Sequence, residues 1–398
     1  MTTAIPPEIL ISADAHVGEP EALRERIPER LRGRFPRMRH TPDGDLAAEI
    51  EGEPLVLKKV RIDARARELE FRSDPSLGTD LRVRYRDMAR EGVDGQVVFP
   101  NVGLEVNSGD EPAEFHQAWA RAHNDFVFEV FAADRKRFKL AAMLAVDDVS
   151  VALAEAGRCV ARGFETLFLP CTVPWQPYRL DVYEPLWSFA EEAGVPVSFH
   201  VFSGNLSPLG GDFAQLGPVS PERRDKARRL YEAEAQEERL STTCMGIASG
   251  MSPILELTGA GVLERHPGLR FVVTESDCGW LAWVLQIMDQ MQERRGLYLH
   301  ELPLRASDYF RRQGAVTITD DPVALNNVGF TGADVLLWGN DYPHDEGTWP
   351  DSRPRIEAIQ TKLGPADARK VLCENAARLY GFDLDYLARH KAQNGQAS

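Results

Sequence analysis

The chain has 398 residues, of which 43% are hydrophobic and 27% are charged. This composition is that of an ordinary globular protein and excludes disordered, collagen-like and fibrous classes. The formal net charge is −15, and this acidic balance argues against nucleic-acid and anionic-membrane partners, which need a basic surface.

Short runs rich in β-branched and aromatic residues predict eight strands along the chain. Most are continuous apolar runs rather than alternating ones, which is typical of strands buried on both faces of a parallel sheet. The predicted strands cover residues 8–14, 95–100, 137–144, 164–170, 195–200, 269–275, 315–319 and 334–340.

Amphipathic segments lie between these strands and predict helices over residues 112–133, 148–162, 182–193, 278–293, 321–328 and 365–379. Gly163 and Gly194 follow two of them, as expected of helix ends. The repeated alternation of strand and helix predicts an α/β fold of the (β/α)8 TIM-barrel type. A doubly wound sheet explains the alternation equally well, but it does not explain the polar residues described below.

Two long segments interrupt the alternation, residues 18–90 after the first strand and residues 203–250 after the fifth. Barrel enzymes place substrate-binding loops at this end of their strands. We therefore expect one domain over residues 1–385 with two insertions. A C-terminal tail over 386–398 follows, and its last stretch, KAQNGQAS, is expected to be frayed.

A basic run in the second insertion includes Arg223, Arg224 and Arg228. One interpretation is a solvated helix face, because Glu and Asp residues follow closely. The other is a surface that contacts the phosphate groups of a substrate.

The five cysteines show no C-x-x-C pattern, and no secretory segment precedes them. They are typical of reduced thiols in a cytoplasmic protein. No apolar run approaches the roughly 18 residues that a membrane helix needs, so we expect no membrane partner.

Side chains that bind metals stand at the ends of four predicted strands. Asp14 and His16 end the first strand and point to the same side of it, because residues i and i+2 share a face. His200 ends the fifth strand, Glu275 the sixth, and Asp341 follows the eighth. A D-x-H pair alone is often a surface turn, and His200 alone fits a core histidine. A carboxylate at the end of an apolar strand is costly unless it is paired or metal-bound, so together these residues predict a metal centre.

Seven segments carry a family resemblance: ISADAHV, GVDGQVVFP, RAHNDF, YEPLWSFAEEAGVPVSFH, VLERHPGLRFVVTE, LLWGNDYPH and ENAARLYGF. They span residues 11–382 and resemble the amidohydrolase-2 branch of the amidohydrolase superfamily, the group around aminocarboxymuconate semialdehyde decarboxylase. The resemblance implies a distorted TIM barrel. It also implies that Asp14, His16, His200 and Asp341 hold one divalent metal.

The sequence departs from that family at two positions. Decarboxylases and hydratases of the branch carry a catalytic histidine at the end of strand six, where this chain has Glu275. Two-metal hydrolases often use a lysine on strand four, and the strand FETLFLP has none.

Glu275, His344 and Glu19 are candidates for a second metal position. Iron and manganese both accept such a mixture of carboxylate and imidazole ligands, whereas the absence of thiolate argues against a structural zinc site. The alternatives are that Glu19 caps a helix or pairs with an arginine, and that His344 stabilises the loop around Pro343.

The segment DYPHDEGTWP and Glu275 resemble a sub-branch of TIM-barrel non-haem diiron monooxygenases, the diterpenoid hydroxylases of platensimycin and platencin biosynthesis. That resemblance implies two Fe, dioxygen, an electron donor and a CoA-linked substrate. The favoured hypothesis is therefore a diiron monooxygenase that hydroxylates a bulky acyl-CoA, with Glu275, Asp341 and His344 as catalytic residues. The basic run at Arg223, Arg224 and Arg228 would then meet the CoA phosphates.

Two alternatives stay open. One is a mononuclear hydrolase or non-oxidative decarboxylase with Zn or Mn, in which Asp341 or Glu275 transfers the proton. The other is a non-enzymatic barrel, which the retained ligands disfavour. A homodimer is expected.

Overall fold

The computed structural model of the chain describes residues 9–35, 37–40, 46–50, 53–58, 78–105, 112–173, 175–204, 240–296, 301–344 and 347–394. The basic run at Arg223, Arg224 and Arg228 lies outside these residues. Its role as a phosphate-contacting surface therefore stays a prediction, as do the single-domain organisation and the homodimer.

The described residues include eleven strands, of which eight coincide with the strands predicted from sequence. In chain order the strands are β1 (Ile11–Val17), β2 (Arg37–His40), β3 (Leu46–Ile50), β4 (Glu53–Lys58), β5 (Gly95–Pro100), β6 (Phe138–Met143), β7 (Thr166–Thr172), β8 (Val197–Gly204), β9 (Phe271–Thr274), β10 (Gly314–Ile318) and β11 (Leu336–Trp338).

The eight predicted strands form one sheet in the order β1-β5-β6-β7-β8-β9-β10-β11, and each neighbouring pair is parallel. Beyond β11 the chain returns to β1, where Ala15 pairs with Tyr342 and His16 N donates a hydrogen bond of 2.6 Å to Tyr342 O. The sheet is thus a nearly closed barrel. This confirms the TIM-barrel prediction and excludes the doubly wound sheet.

Helices follow the strands and cover the outside of the barrel. They are α1 (Leu81–Glu91), α2 (Ala113–Phe131), α3 (Val149–Ala161), α4 (Glu184–Ala193), α5 (Leu240–Ala248), α6 (Met251–Gly259), α7 (Val262–Arg265), α8 (Leu281–Arg295), α9 (Ala306–Gln313), α10 (Pro322–Thr331), α11 (Arg353–Arg369), α12 (Asn375–Tyr380) and α13 (Leu384–Asn394). No helix in this described part of the chain has both the length and the apolar character of a membrane span.

Local sequence explains several helix ends. The Asp148 side chain accepts hydrogen bonds from Ser150 N and Val151 N and begins α3. Gly194 ends α4 in the left-handed conformation, with φ at 67°, which is the conformation expected of a glycine at a helix end.

The structure differs from the sequence-based predictions in the first insertion and in the tail. Strands β2, β3 and β4 form a small antiparallel sheet within residues 18–90 that the sequence did not indicate. The tail is helical as far as Asn394, because Leu387 is buried and Lys391 Nζ lies 2.9 Å from Asp94 Oδ2. Fraying from Lys391 onward is therefore wrong for residues 391–394.

Candidate metal centre

Six side chains with metal-binding atoms meet at the carboxyl end of the barrel strands. Most of them are far apart in the sequence, and the parallel sheet brings them together because all its strands end on the same side. They are Asp14 and His16 of β1, His200 of β8, Glu275 directly after β9, and Asp341 and His344 in the segment after β11.

One group of four potential ligands spans β1, β8 and the end of β9. His200 Nε2 lies 3.6 Å from Asp14 Oδ1 and 3.3 Å from Glu275 Oε2. His16 Nε2 lies 3.4 Å from the same Asp14 oxygen and 3.3 Å from the same Glu275 oxygen. The ligand atoms of this group all lie within 4.8 Å of one another, which leaves them around a common point.

A second group of four shares His16 and Glu275 with the first. His344 Nδ1 lies 2.9 Å from Asp341 Oδ1 and 4.0 Å from Glu275 Oε2. His16 Nε2 lies 3.1 Å from Asp341 Oδ1. His16 and Glu275 therefore stand at the centre of the whole cluster.

These side chains fit a divalent metal ion. Seven of their atoms are buried and have no hydrogen-bond partner within the described residues: Asp14 Oδ1, Asp14 Oδ2, His16 Nε2, His200 Nε2, Glu275 Oε2, Asp341 Oδ1 and His344 Nδ1. A buried polar atom without a partner costs about 1–3 kcal/mol, and converging carboxylates also repel one another. A divalent cation satisfies these atoms, and an oxygen and nitrogen ligand set without thiolate suits Mn, Fe or Zn.

Backbone carbonyls orient two of the histidines. His16 Nδ1 lies 2.7 Å from Pro100 O, and His200 Nδ1 lies 2.8 Å from Val201 O. Because a carbonyl only accepts, each Nδ1 carries the hydrogen and donates it. Each Nε2 then presents its lone pair to the cluster, as a metal ligand must.

His344 is oriented in the opposite sense. Its Nε2 lies 2.9 Å from the side-chain oxygen of Asn101, so Nε2 donates and Nδ1 faces Asp341. The ring of His344 stacks on that of His16, with centroids 4.0 Å apart and planes at 28°.

The two central carboxyl groups differ in their proton affinity. Burial, followed by the negative charge of Asp341, raises the pKa of Glu275. Burial also opposes ionisation of Asp341, but the charge of His344 and contact with His16 outweigh it and lower the pKa of Asp341. Carboxyl groups whose pKa values are driven apart in one site divide the roles of acid and anion.

Burial lowers the pKa of His16, but the carboxylates of Asp14, Asp341 and Glu275 outweigh this effect and raise its pKa well above the ordinary value. A proton and a metal ion therefore compete for Nε2 of His16.

Glu19 lies outside both groups of potential ligands found among the described residues. Its carboxylate instead accepts hydrogen bonds from Gly103 N at 3.0 Å and Asn101 N at 3.3 Å, and its Oε1 lies 3.1 Å from His123 Nδ1. The structure therefore brings His344, but not Glu19, into these groups of potential ligands, and the role of Glu19 as a ligand stays a prediction.

Sequence reasoning missed Asn101, which contacts His344. The available signal was its position directly after the apolar strand GQVVFP, the same position relative to a strand that drew attention to Glu275.

Comparison with known proteins identifies one family. The profile of the Amidohydro_2 family, described as amidohydrolase, matches residues 12–382. A Gamma-resorcylate decarboxylase from Rhodococcus jostii (strain RHA1) is 25% identical over 286 residues, which cover 66% of this chain and 77% of that protein.

Solved structures share the fold. A crystal structure of an amidohydrolase from Mycobacterium avium subsp. paratuberculosis K-10 superposes with a TM-score of 0.71 and 19% identity, covering 94% of this chain and 100% of the other. A dihydroxybenzoic acid decarboxylase from Polaromonas sp. JS666, crystallised with manganese and the inhibitor 2-nitroresorcinol, superposes with a TM-score of 0.61 and 19% identity. It covers 94% of this chain and 97% of its own.

These relatives correct the favoured hypothesis from sequence. The Rhodococcus and Polaromonas relatives are decarboxylases, and the second holds manganese, so the prediction of a diiron monooxygenase acting on an acyl-CoA with dioxygen and an electron donor is wrong. The physical reason is that carboxylate and imidazole ligands suit manganese and zinc as well as iron, so the ligand set alone does not select oxygen chemistry.

Proposed function

The chain belongs to the amidohydrolase family, and from this premise we propose that it is a metal-dependent, non-oxidative decarboxylase of a hydroxylated aromatic carboxylic acid. The names of the decarboxylase relatives give substrates of this class, and these relatives support both the proposed reaction and the proposed substrate. This was the alternative that the sequence left open.

We propose that Asp14, His16 and His200 of the first group and Asp341 of the second hold one divalent ion, with manganese favoured by the relative that binds it. His16 joins the two groups, because its Nε2 lies 3.4 Å from Asp14 Oδ1 and 3.1 Å from Asp341 Oδ1. When bound, the ion acts as a Lewis acid that neutralises the negative charge of an acidic substrate. The protein itself fixes the ligands: backbone carbonyls accept hydrogen bonds from His16 and His200, and the ring of Phe99 packs 5.2 Å from that of His200.

The observation that carries the proposal is the central position of the Glu275 carboxyl. Its Oε2 lies 3.3 Å from both His16 Nε2 and His200 Nε2. Burial and the charge of Asp341 raise the pKa of Glu275, whereas the pKa of Asp341 is lowered, so Glu275 is the better proton donor of the two. Glu275 is also the residue that replaces the histidine expected at this strand end.

Decarboxylation needs such a proton. The Glu275 carboxyl gives its proton to the ring carbon that bears the carboxylate, and the carbon–carbon bond then breaks. The electron pair of that bond restores the aromatic ring while carbon dioxide leaves. Glu275 regains a proton from water, so the net reaction consumes one proton and releases one carbon dioxide.

The proposal is tested with manganese-loaded protein and a panel of hydroxybenzoic acids, without oxygen or reductant. In deuterated water we expect carbon dioxide release and one deuterium at the vacated carbon, measured by mass spectrometry. Failure of every acid in the panel to release carbon dioxide would contradict the proposal, and hydrolysis of the corresponding esters or amides by the same protein would identify a hydrolase instead.

Glu275→Gln tests the proton donor. The amide is isosteric but has no acidic proton, so we expect kcat to fall by about 10²–10⁴-fold. Bound manganese should stay near the wild-type level. Glu256→Gln is the matched control, because burial also raises the pKa of that carboxyl on α6, and it should keep full activity. Turnover by Glu275→Gln close to the wild-type rate would assign the proton to another group.

A further inference from the structure

The segment directly after β5, residues 100–103, contacts two histidines of the cluster. Pro100 O accepts a hydrogen bond of 2.7 Å from His16 Nδ1, and the side-chain oxygen of Asn101 accepts one of 2.9 Å from His344 Nε2. The two rings stack on each other. One short piece of chain therefore sets the orientation and the hydrogen position of both imidazoles.

Glu19 holds this segment in place. Its two carboxylate oxygens accept hydrogen bonds from the backbone amides of Gly103 and Asn101. Gly103 is needed for this approach, because a Cβ at that position would lie 2.8 Å from Glu19 Oε1 and 2.7 Å from Met143 Sδ. The side chains of Glu19 and His123 are almost fully buried. Water therefore cannot easily take the place of the carboxylate as the hydrogen-bond partner of these two amides.

We propose that Glu19 is a positioning residue for the metal centre. It acts through the segment 100–103 on the proposed ligand His16, and through Asn101 on His344, whose ring stacks on His16 and whose Nδ1 lies 2.9 Å from Oδ1 of the proposed ligand Asp341. This inference rests on the metal site proposed above but not on the identity of the substrate. Both Glu19 oxygens face amides of that segment, so the carboxylate acts by fixing the partners of the histidines. Groups that fix the ligands of a metal typically contribute about 10–100-fold to its affinity.

The Asn101 contact is tested by titrating metal-free protein with Co²⁺ and recording its visible absorption spectrum. Asn101→Leu removes the acceptor, so the His344 ring loses its fixed tautomer. We expect the affinity for Co²⁺ to fall about 10–100-fold and the absorption bands to change. Asn101→Asp keeps an acceptor oxygen and should restore most of the affinity. The Asn101 side chain is only half-buried, so both variants should fold.

Glu19→Gln tests the contact between the Glu19 carboxylate and the segment 100–103. We expect about 10-fold weaker Co²⁺ binding with the number of ions per chain at saturation unchanged, because no ligand is lost. Glu165→Gln is the matched control: this partly buried carboxylate, just before β7, accepts a hydrogen bond of 3.0 Å from Leu140 N and lies far from the carboxyl ends of the strands. It should bind Co²⁺ like the wild type.

Two results would overturn the inference. A lower ion count in Glu19→Gln would make Glu19 a ligand, and unchanged affinity and spectrum in Asn101→Leu would remove the positioning role. If Glu19→Gln does not fold, the two Asn101 variants decide. These binding measurements are independent of turnover, so failure of every hydroxybenzoic acid to react would count against the proposed function alone.

Discussion

Glu275 and Asp341 adopt backbone conformations that residues with side chains rarely hold. Their φ angles are 60° and 54°, in a region that costs about 1–3 kcal/mol for a residue other than glycine. Thr317 Oγ1 accepts a hydrogen bond of 2.7 Å from Glu275 N, and Asp14 O accepts one of 3.1 Å from Asp341 N. Neighbouring strands thus hold both residues in the strained form that aims their carboxyl groups at the cluster.

Asp277 is a third residue with a positive φ, at 40°, and its carboxyl is partly buried. Burial, together with the charges of Asp321 and Asp320, raises its pKa from 3.8 to about 6, although Thr319 N donates a hydrogen bond of 2.9 Å to it. The folded protein therefore holds this proton more tightly than the unfolded chain. The stabilisation is present below pH 3.8 and is lost as the pH rises through about 6.

Asp277→Asn should remove this pH dependence. The amide oxygen still accepts from Thr319 N, and asparagine tolerates a positive φ, so the variant keeps the fold. Its free energy of unfolding relative to the wild type should rise by about 1–2 kcal/mol between pH 5 and pH 8, because only the wild type must ionise a buried carboxyl. Urea unfolding of both metal-saturated proteins measures this. A difference that stays constant with pH would mean that Asp277 titrates normally in the fold.

At the scale of elements, the contact between β1 and the chain after β11 both closes the barrel and builds the site. Asp14 belongs to one side of this contact and Asp341 to the other, so barrel closure sets the distance between two proposed ligands. Gly339 permits the close approach, because a Cβ there would lie 2.6 Å from Asp14 Cβ and 3.1 Å from Asp14 N.

Gly339→Ala should therefore weaken both the fold and the metal site. Backbone atoms of Asp14 lie in the way and cannot rotate aside, so we expect a loss of about 1–3 kcal/mol in the free energy of unfolding. Weaker manganese binding should accompany it. Gly157→Ala is the control, because that glycine lies in α3 with open space around it, and a helical alanine is neutral or stabilising. Equal free energies of unfolding and equal manganese binding in the two variants would show that barrel closure tolerates a side chain at position 339.

At the scale of the whole molecule, the barrel concentrates buried acidic groups within a chain of net charge −15. Binding of the proposed divalent ion to this cluster would link stability to metal content. The hydrophobic strands and helices around the cluster supply the free energy that holds these like charges together.

Metal removal should lower the thermal midpoint. A ligand at 100 times its dissociation constant stabilises the folded state by about 2.7 kcal/mol, which for a chain of this length corresponds to a rise of about 3 °C. Scanning calorimetry of chelator-treated protein with and without manganese measures the shift. His200→Ala should show almost none, because it lacks one ligand. A thermal midpoint of the wild type that does not change when manganese, zinc or iron is added would contradict the proposed metal centre.

The sequence was informative about the site where each residue could be judged from its own strand. Asp14, His16, His200, Glu275 and Asp341 each stand at the end of an apolar run, and the parallel sheet brings them together. Glu19 and His344 lie in loops close to these motifs, and nothing local distinguishes them. Glu19 contacts the segment 100–103, which is about 80 residues away in the chain, whereas His344 reaches the cluster.

The sequence by itself determined the barrel and its candidate ligands at the strand ends, because continuous apolar runs separated by helices admit few architectures and buried carboxylates at strand ends demand a partner. Only the tertiary structure decided which loop residues join the cluster, how each imidazole is turned, and in which direction the pKa of each carboxyl shifts. Those properties depend on hydrogen bonds and charges between segments distant in sequence, such as Asn101 with His344 and Asp341 with Glu275. No local pattern records such contacts, because barrel closure creates them.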